Sequence, residues 1–281
     1  WYYIGTGSKP YLLSLMDMQD IEKLASKYLL HSELYRAGLA KISDQEFNQL
    51  EKQLKSVAPD HPVLSKIDEG LALKGIDTNS FDDWYKKIPD NETLIIQPKI
   101  DGIAILLRYV DGILVAAFNR TGKDKTYHMR FIENVPQFID AKGVVHIRGE
   151  LYAPHETPAT SQRLAAGHIR KKAPEKIDSQ INFCAFQVVD RYTTELDQLR
   201  FLQSGWDFEV PRFAIADKKN KRDYIKECHN LWLDSRFFSN YIPTDGIVVK
   251  PNNKNLRNLY PMNSKTQRGV IAIKEYWKDS D

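Results

Sequence analysis

Lys99 is the residue whose position points most directly to covalent chemistry. It ends the apolar run LIIQPK, and Asp101-Gly102, a turn signal, follows it closely. A lysine is nucleophilic only as the free amine, and its reference pKa of about 10.4 keeps it protonated at neutral pH. Burial and neighbouring cations lower that pKa. Taken alone, Lys-x-Asp-Gly also fits an ordinary surface lysine before a turn.

Further apolar strand-like runs carry a charged residue at or near their ends. Arg120 follows ILVAAFN, Glu150 lies in HIRGELY, and Lys250 and Lys274 end the runs TDGIVVK and GVIAIK. One such ending is an ordinary solvated strand terminus. Several that converge in one cleft would form a phosphate site, with cations for the phosphates and a carboxylate for a divalent metal.

The elements that must position these residues begin with a helical hairpin. Apolar residues recur at helical spacing over Ile21–Tyr28 and again over Phe47–Val57. Ser43 followed by Glu46 is a capping-box signal for the second helix, and Pro59 closes that helix. We therefore predict a small helical module at residues 1–75.

From Leu94 onwards, short β runs alternate with helical stretches. Asp111-Gly112 between two apolar runs predicts a tight hairpin. The runs VVHIRGELY, INFCAFQVV, DGIVVKP and VIAIKEYW predict further strands, and residues 194–204 and 222–237 predict helices. Clustered strands joined by hairpins indicate an α+β fold with antiparallel β-sheets and flanking helices around a cleft, here over residues 76–281.

The composition indicates where the protein is found in the cell but does not determine its function. With 40 basic and 37 acidic residues, the net charge of +3 neither requires nor excludes nucleic acid. Cys184 and Cys228 are isolated and cannot form a four-thiolate zinc site. No window approaches the roughly 18 apolar residues of a membrane span, and the first residues lack the pattern of a secretory leader. We expect a cytoplasmic protein with no membrane partner; because the chain does not begin with Met, we expect a piece of a longer one.

The motifs KIDG, NRTG, RGE, DGIVVK and AIK, in this order, resemble those of the covalent nucleotidyltransferase superfamily of DNA ligases, RNA ligases and capping enzymes. In more detail, RGELYAP, RLAAGHIR, FCAFQV, GWDFEVP and TDGIVVK resemble segments of NAD-dependent bacterial DNA ligases. The similarity runs through most of residues 94–274. Each piece is weak alone, but the ordered set is specific, and it implies an adenylation (nucleotidyltransferase) domain around a nucleotide cleft.

This resemblance implies a catalytic set. Lys99 would attack the α-phosphate of NAD, release nicotinamide mononucleotide (NMN) and hold AMP as a phosphoramidate, and AMP would then pass to a 5′-phosphate in nicked double-stranded DNA. Lys250 and Lys274 would neutralise the phosphate charge that develops, and Asp101 completes the set.

The same resemblance implies a nucleotide site. Arg120 and Glu150 would hold the ribose and Mg²⁺, with Glu150 as the metal ligand. Phe186 would stack on adenine, although an aromatic residue in a strand equally suits a core. Gln97 stands where the family usually has Glu. The implied nucleotide-binding residues are Gln97, Lys99, Gly102, Arg120, Glu150, Phe186, Lys250 and Lys274.

The helical module resembles the one that grips the NMN half of NAD in this family, which ATP-dependent ligases lack. Arg36 stands where His is usual, and Phe47-Asn48 where Tyr-Asp is usual. Phe47 also lies on the apolar stripe, so it equally suits core packing. The implied NMN-binding residues are Tyr35, Arg36, Asp44, Phe47 and Asn48.

The remaining expectations concern nucleic acid. Arg163 and Arg170 lie in a basic stretch suited to the DNA backbone, or to an exposed helix face. The family continues into an OB-fold, a zinc module, helix-hairpin-helix repeats and a BRCT part, which we expect on a missing C-terminal region or a separate polypeptide. Two alternatives stay open: an ATP-using RNA ligase or capping-type enzyme, and an inactive relative that only binds nucleic acid.

Overall fold

A computed structural model describes residues 18–36, 41–59, 61–64, 73–78, 80–172, 174, 176–189, 191–217, 219–235, 241–261 and 266–275. The chain divides into two compact units, Trp1–Asp68 and Glu69–Asp281. The larger unit thus begins before the predicted boundary at residues 75/76. No described helix is long and apolar enough to cross a membrane.

The first unit contains helix α1 (Met18–Arg36), helix α2 (Asp44–Val57) and a 3₁₀ turn at Pro62–Leu64. The predicted capping box is confirmed: the Ser43 hydroxyl accepts from the Glu46 amide, and the Glu46 carboxylate accepts from the Ser43 amide at 2.8 Å. This arrangement satisfies amides that the first turn of a helix leaves without intrahelical partners.

The second unit is built on two β-sheets. A five-stranded sheet has the order β1-β9-β8-β2-β7, and a four-stranded sheet has the order β4-β3-β5-β6. The predicted α+β fold with antiparallel sheets is confirmed, but the short β1, which the sequence did not indicate, pairs with β9 in parallel. The strands are β1 (Gly75–Asp77), β2 (Leu94–Ile100), β3 (Ile103–Val110), β4 (Ile113–Asn119), β5 (Val144–Tyr152), β6 (Asn182–Val188), β7 (Ala214–Ala216), β8 (Thr244–Pro251) and β9 (Thr266–Ile273).

Helices cover one face of each sheet. Apolar residues of α5 and α6 pack with the four-stranded sheet, and those of α3 and α7 pack with the five-stranded sheet. The predicted helices near 194–204 and 222–237 are confirmed as α6 and α7, whereas α3 and α4 are too short to have given a periodic signal. The helices are α3 (Phe81–Tyr85), α4 (Thr126–Met129), α5 (Pro158–Arg170), α6 (Glu195–Trp206) and α7 (Lys221–Ser235).

Two tight connections shape this unit. Asp111 and Gly112 both have positive φ, 45° and 83°, as a two-residue hairpin of the predicted kind requires. Asp101-Gly102 carries the chain from β2 in one sheet to β3 in the other. A Cβ atom at Gly102 would lie 1.9 Å from the carbonyl oxygen of Leu151, so no larger residue fits there without a shift. Lys99 therefore sits at the junction of the two sheets.

Candidate active site

A cavity of about 180 Å³ is lined by strands of both sheets. It brings together six of the eight residues of the implied nucleotide site, which come from β2, β5, β6, β8 and the end of β4. Gly102 and Lys274 are not among its lining residues. The six are Gln97, Lys99, Arg120, Glu150, Phe186 and Lys250.

Lys99 is held by a carboxylate that the sequence motifs did not single out. The β2–β8 pairing shifts register where Lys99 lies, so that Asp245 and Gly246 both fall opposite it. Such bulges are frequent beside active sites, where they redirect a side chain. Nζ of Lys99 donates to Oδ1 of Asp245 at 2.6 Å, and Nζ of Lys274 lies 2.9 Å from Oδ2. The hydrogen bond to Asp245 raises the pKa of Lys274. Lys274 therefore reaches Lys99 through Asp245.

Glu150 is the carboxylate that lines the cavity. Burial raises its pKa to about 8, although the positive charge of Lys99 and a hydrogen bond from the Gly102 amide act in the opposite direction. The negative charge of Asp101 adds to the increase. Asp101 in turn accepts a hydrogen bond from Gln162 of α5. A cation placed at Glu150 would favour the charged carboxylate.

Lys250 is the most deeply buried cation of the cavity, with 6% of its surface exposed. Burial lowers its pKa to about 7. Its Nζ donates to the Glu195 carboxylate at 3.3 Å. Its Nζ also lies 6.0 Å from the ring centroid of Phe186. A positive charge is thus built into the wall beside the aromatic ring.

The cavity also offers a surface suited to a flat base. Phe186 contributes a half-buried ring, and Val248 lies opposite Gln97 in the β2–β8 pairing. Gln97 is only 2% exposed, and its Nε2 has no hydrogen-bond partner among the described residues. A buried amide without a partner is unfavourable, so a ligand acceptor would stabilise it.

Arg120 and the two predicted DNA-binding arginines are exposed. Arg120 lies at the cavity beside a turn in which the Asn119 side chain accepts from the amides of Thr121 and Lys123. Arg163 and Arg170 lie on α5, seven positions apart, and therefore on similar faces of that helix; neither lines the cavity.

The predicted NMN-binding residues belong to the first unit. Asp44 and Asn48 are exposed on α2, whereas Phe47 stacks on Tyr28 with 5.4 Å between ring centroids. This contact favours the packing alternative for Phe47. The side chains of Tyr35 and Arg36 lie outside the described residues.

Two functional candidates were missed in the sequence. Asp245 had a signal, because Asp245-Gly246 in TDGIVVK repeats the Asp-Gly of KIDG. Glu195 had none, because a carboxylate just after Thr194 looks like an ordinary first-turn residue that favours the helix dipole.

The two sheets, the lysine at their junction and the cavity of converging cations define the class as a nucleotidyltransferase domain of the ligase type. A solved structure described as "Pmar-Lig_PreS3" shares the fold, with a TM-score of 0.51 and 13% identity over 96% of this chain and 66% of that one. The model for the "NAD-dependent DNA ligase adenylation domain" matches residues 51–276, and the chain belongs to this family.

Curated relatives agree with that assignment. A DNA ligase of Fervidobacterium nodosum is 26% identical over 91% of this chain and 44% of its own length. A DNA ligase of Borrelia garinii subsp. bavariensis is 29% identical over 92% of this chain and 45% of its own length. The chain therefore spans less than half the length of these relatives.

Proposed function

We propose that this chain takes AMP from NAD onto Lys99, as the adenylation part of an NAD-dependent DNA ligase. The observation that carries the proposal is the placement of Lys99 in one cavity with Arg120, Glu150 and Lys250, its Nζ held 2.6 Å from Asp245. In the reaction, Nζ of Lys99 forms a bond to the α-phosphorus. The bond from that phosphorus to the bridging oxygen breaks, NMN leaves with its phosphate, and the amine gives up its proton to solvent.

The side chains around Lys99 have separable tasks in this step. Asp245 aims Nζ at the phosphorus, which favours a near-attack geometry. Lys250 offers positive charge to the phosphate oxygens, Arg120 binds the ribose, and Lys274 acts from outside the cavity through Asp245. Gln97 and Phe186 hold the adenine, with the Gln97 amide as a donor to a ring nitrogen.

Glu150 is the residue that would hold Mg²⁺. No cluster of three potential ligands exists in the described part of the chain, and Mg²⁺ at phosphate sites commonly uses one or two carboxylates together with substrate oxygens. A bound Mg²⁺ supplies additional positive charge to the phosphate.

The whole ligase reaction is part of the same proposal. Lys99-bound AMP would pass to the 5′-phosphate of nicked DNA, and Arg163 and Arg170 on exposed positions of α5 would contact the DNA backbone. The OB-fold and the further modules of the family would come from a region outside this chain or from a separate polypeptide. The setting would be the cytoplasm.

An intact-mass measurement tests the proposal. Incubation with NAD and Mg²⁺ should add one AMP to the chain, and Lys99→Ala should abolish the increase. Lys86→Ala, whose side chain is 70% exposed on the surface, is the matched control and should label normally. Labelling that survives Lys99→Ala contradicts the proposal. Equal or better labelling from ATP favours the ATP-using alternative, and no labelling from either donor favours a protein that only binds nucleic acid.

Substitutions at exposed positions of α2 test whether the first unit binds the NMN half of NAD. Asp44 and Asn48 are exposed one turn apart on α2, and Gln49 is exposed next to Asn48 on the same helix. Ala at Asp44 and Asn48 should raise KM for NAD, whereas Gln49→Ala should not. If all three variants keep the KM of the wild type, α2 does not contact NMN.

A further inference from the structure

Glu195 is a buried carboxylate that has no role in the adenylation reaction as described above. It is the first residue of α6, and none of its surface is exposed. A carboxylate in such a place is stable only when other groups compensate its charge and fill its lone pairs. Its partners therefore indicate what it does.

Three side chains donate to the Glu195 carboxylate. Nζ of Lys250 donates to Oε2 at 3.3 Å, and the amide of Gln198 donates to the same oxygen. Arg257 donates to Oε1 from the 3₁₀ helix Lys254–Leu259. The carboxylate thus connects a cation of the cavity wall with a second cation outside it.

The main chain sets the distance from Glu195 to Lys250. The amide of Glu195 donates to the carbonyl oxygen of Asn252 at 2.8 Å, and the next amide, of Leu196, donates to the Asn252 side chain at 3.0 Å. Asn252 directly follows β8, the strand that carries Lys250. The start of α6 is therefore attached to the end of β8.

We propose that Glu195 is a positioning residue for the adenylation reaction, which keeps Nζ of Lys250 charged and fixed at the cavity wall. The inference rests on the proposed function, in which Lys250 meets the phosphate. Lys250 needs such a partner because burial lowers its pKa to about 7 even with Glu195 in place, and loss of the carboxylate would leave most of the amine neutral at neutral pH.

The other charged groups around Lys250 are mainly cations. Lys74, Lys99, Arg120 and Arg148 line the same cavity, and Glu150 is the carboxylate among its described lining residues. Lys254, on the 3₁₀ helix, donates to Gln198 at 3.2 Å. Added positive charge lowers the pKa of a lysine, so Glu195 is the group that opposes this effect at hydrogen-bond distance.

Arg257 competes with Lys250 for the same carboxylate. Burial lowers the pKa of Arg257 to about 10, and the charge of Arg148 contributes to the decrease. If Glu195 controls Lys250, loss of the carboxylate and loss of the competing cation must have opposite effects. Glu195→Gln should make Lys250 easier to deprotonate, and Arg257→Met should make it harder.

Single-turnover adenylation with NAD and Mg²⁺, measured from weakly acidic through neutral to alkaline pH, tests this pair of effects. Relative to wild type, the alkaline limb should move down by about one pH unit or more in Glu195→Gln and up in Arg257→Met. Glu195→Asp keeps the charge and should return part of the shift. Glu209→Gln is the control: this carboxylate accepts from Tyr152 and Tyr241 instead, so the limb should stay in place although stability falls.

The outcomes separate this inference from the proposed function. The titration of Lys250 can be followed by NMR with lysine labelled at Cε, which reports the same two opposite shifts whether or not the protein reacts. A wild type that takes no AMP from NAD refutes the proposed function. The role of Glu195 is refuted if the alkaline limbs of the pH–rate profiles and the NMR titrations of Lys250 coincide in wild type, Glu195→Gln and Arg257→Met. Arg257→Met removes the competing cation and leaves Lys250 and Glu195 as a pair of opposite charges. If Glu195→Gln does not fold, this variant alone therefore tests whether Glu195 controls the charge of Lys250.

Discussion

Nζ of Lys99 and Oδ1 of Asp245 lie 2.6 Å apart, although 146 positions separate the two residues in the chain. Lys99 is at the end of β2 and Asp245 near the start of β8, and the bulge between these strands places the two side chains together. The second oxygen of Asp245 holds Lys274. One carboxylate therefore orients the lysine at the sheet junction and couples it to the residue that follows β9.

Asp245→Asn should slow adenylation without unfolding the chain. The amide keeps the shape of the side chain but loses the charge that holds Lys99 and Lys274, so we expect a decrease in rate on the order of a hundredfold. Single-turnover rates with NAD measure it. Asp83→Asn, a change at a side chain that is 70% exposed, is the control. A wild-type rate in Asp245→Asn would show that the bridge has no part in the reaction.

Glu150 should make the stability of the chain depend on pH. Its pKa in the folded protein is about 8, against an ordinary value of 4.5. Between these values the folded state holds a proton that the unfolded state has released, so the stability due to this group is greatest below pH 4.5 and is lost as the pH rises to about 8. Glu150→Gln removes this dependence.

Thermal unfolding of both proteins across this pH range measures the effect. The wild type should lose stability relative to Glu150→Gln as the pH rises, and Mg²⁺ should reduce the loss in the wild type alone, because it favours the charged carboxylate. Glu156→Gln, at an exposed position, serves as the control. Parallel curves for wild type and Glu150→Gln would contradict the raised pKa.

Two glycine substitutions should have opposite effects on stability. Gly102→Ala puts a Cβ 1.9 Å from the carbonyl oxygen of Leu151, so it should destabilise the fold by roughly 1–3 kcal/mol or more and displace Lys99. Gly167 lies in α5, and a Cβ added there would meet no atom within 4 Å beyond its own stretch of helix, so Ala at this position should stabilise the chain by up to about 1 kcal/mol. Denaturant unfolding gives both values, and a neutral Gly102→Ala would contradict the tight junction.

The basic residues should divide into two groups. Lys274→Ala should slow adenylation, by on the order of a hundredfold if its charge acts on the transition state. Arg163→Ala and Arg170→Ala should instead weaken binding to nicked duplex and reduce the salt slope by about one unit per lost contact. Adenylation rates and salt-dependent DNA binding of the three variants distinguish the groups. If the arginine variants slow adenylation as much as Lys274→Ala and leave the salt slope unchanged, the arginines belong to the nucleotide site.

The local structure of this chain could be predicted from its sequence. Asp111-Gly112, the Ser43 capping box and the apolar runs of the principal strands depend on backbone torsion and periodicity within a few neighbouring residues. The candidate catalytic residues could also be predicted from the sequence. Lys99, Glu150 and Lys250 stand at or near the ends of apolar runs, and several charged side chains in such positions indicate a functional site. The ordered motifs then identified the family that the comparison with known domains confirmed.

Only the tertiary structure decided which charges meet. Asp245 and Lys99 are 146 positions apart in the sequence, and Glu195 and Lys250 are 55 positions apart. Contacts over such separations leave no periodic pattern in the sequence. The parallel pairing of β1 with β9 likewise joins the two ends of the larger unit. These contacts depend on strand register and on how two sheets face each other, and a local window of residues carries no information about either. The partner of a buried charge is therefore a property of the assembled fold.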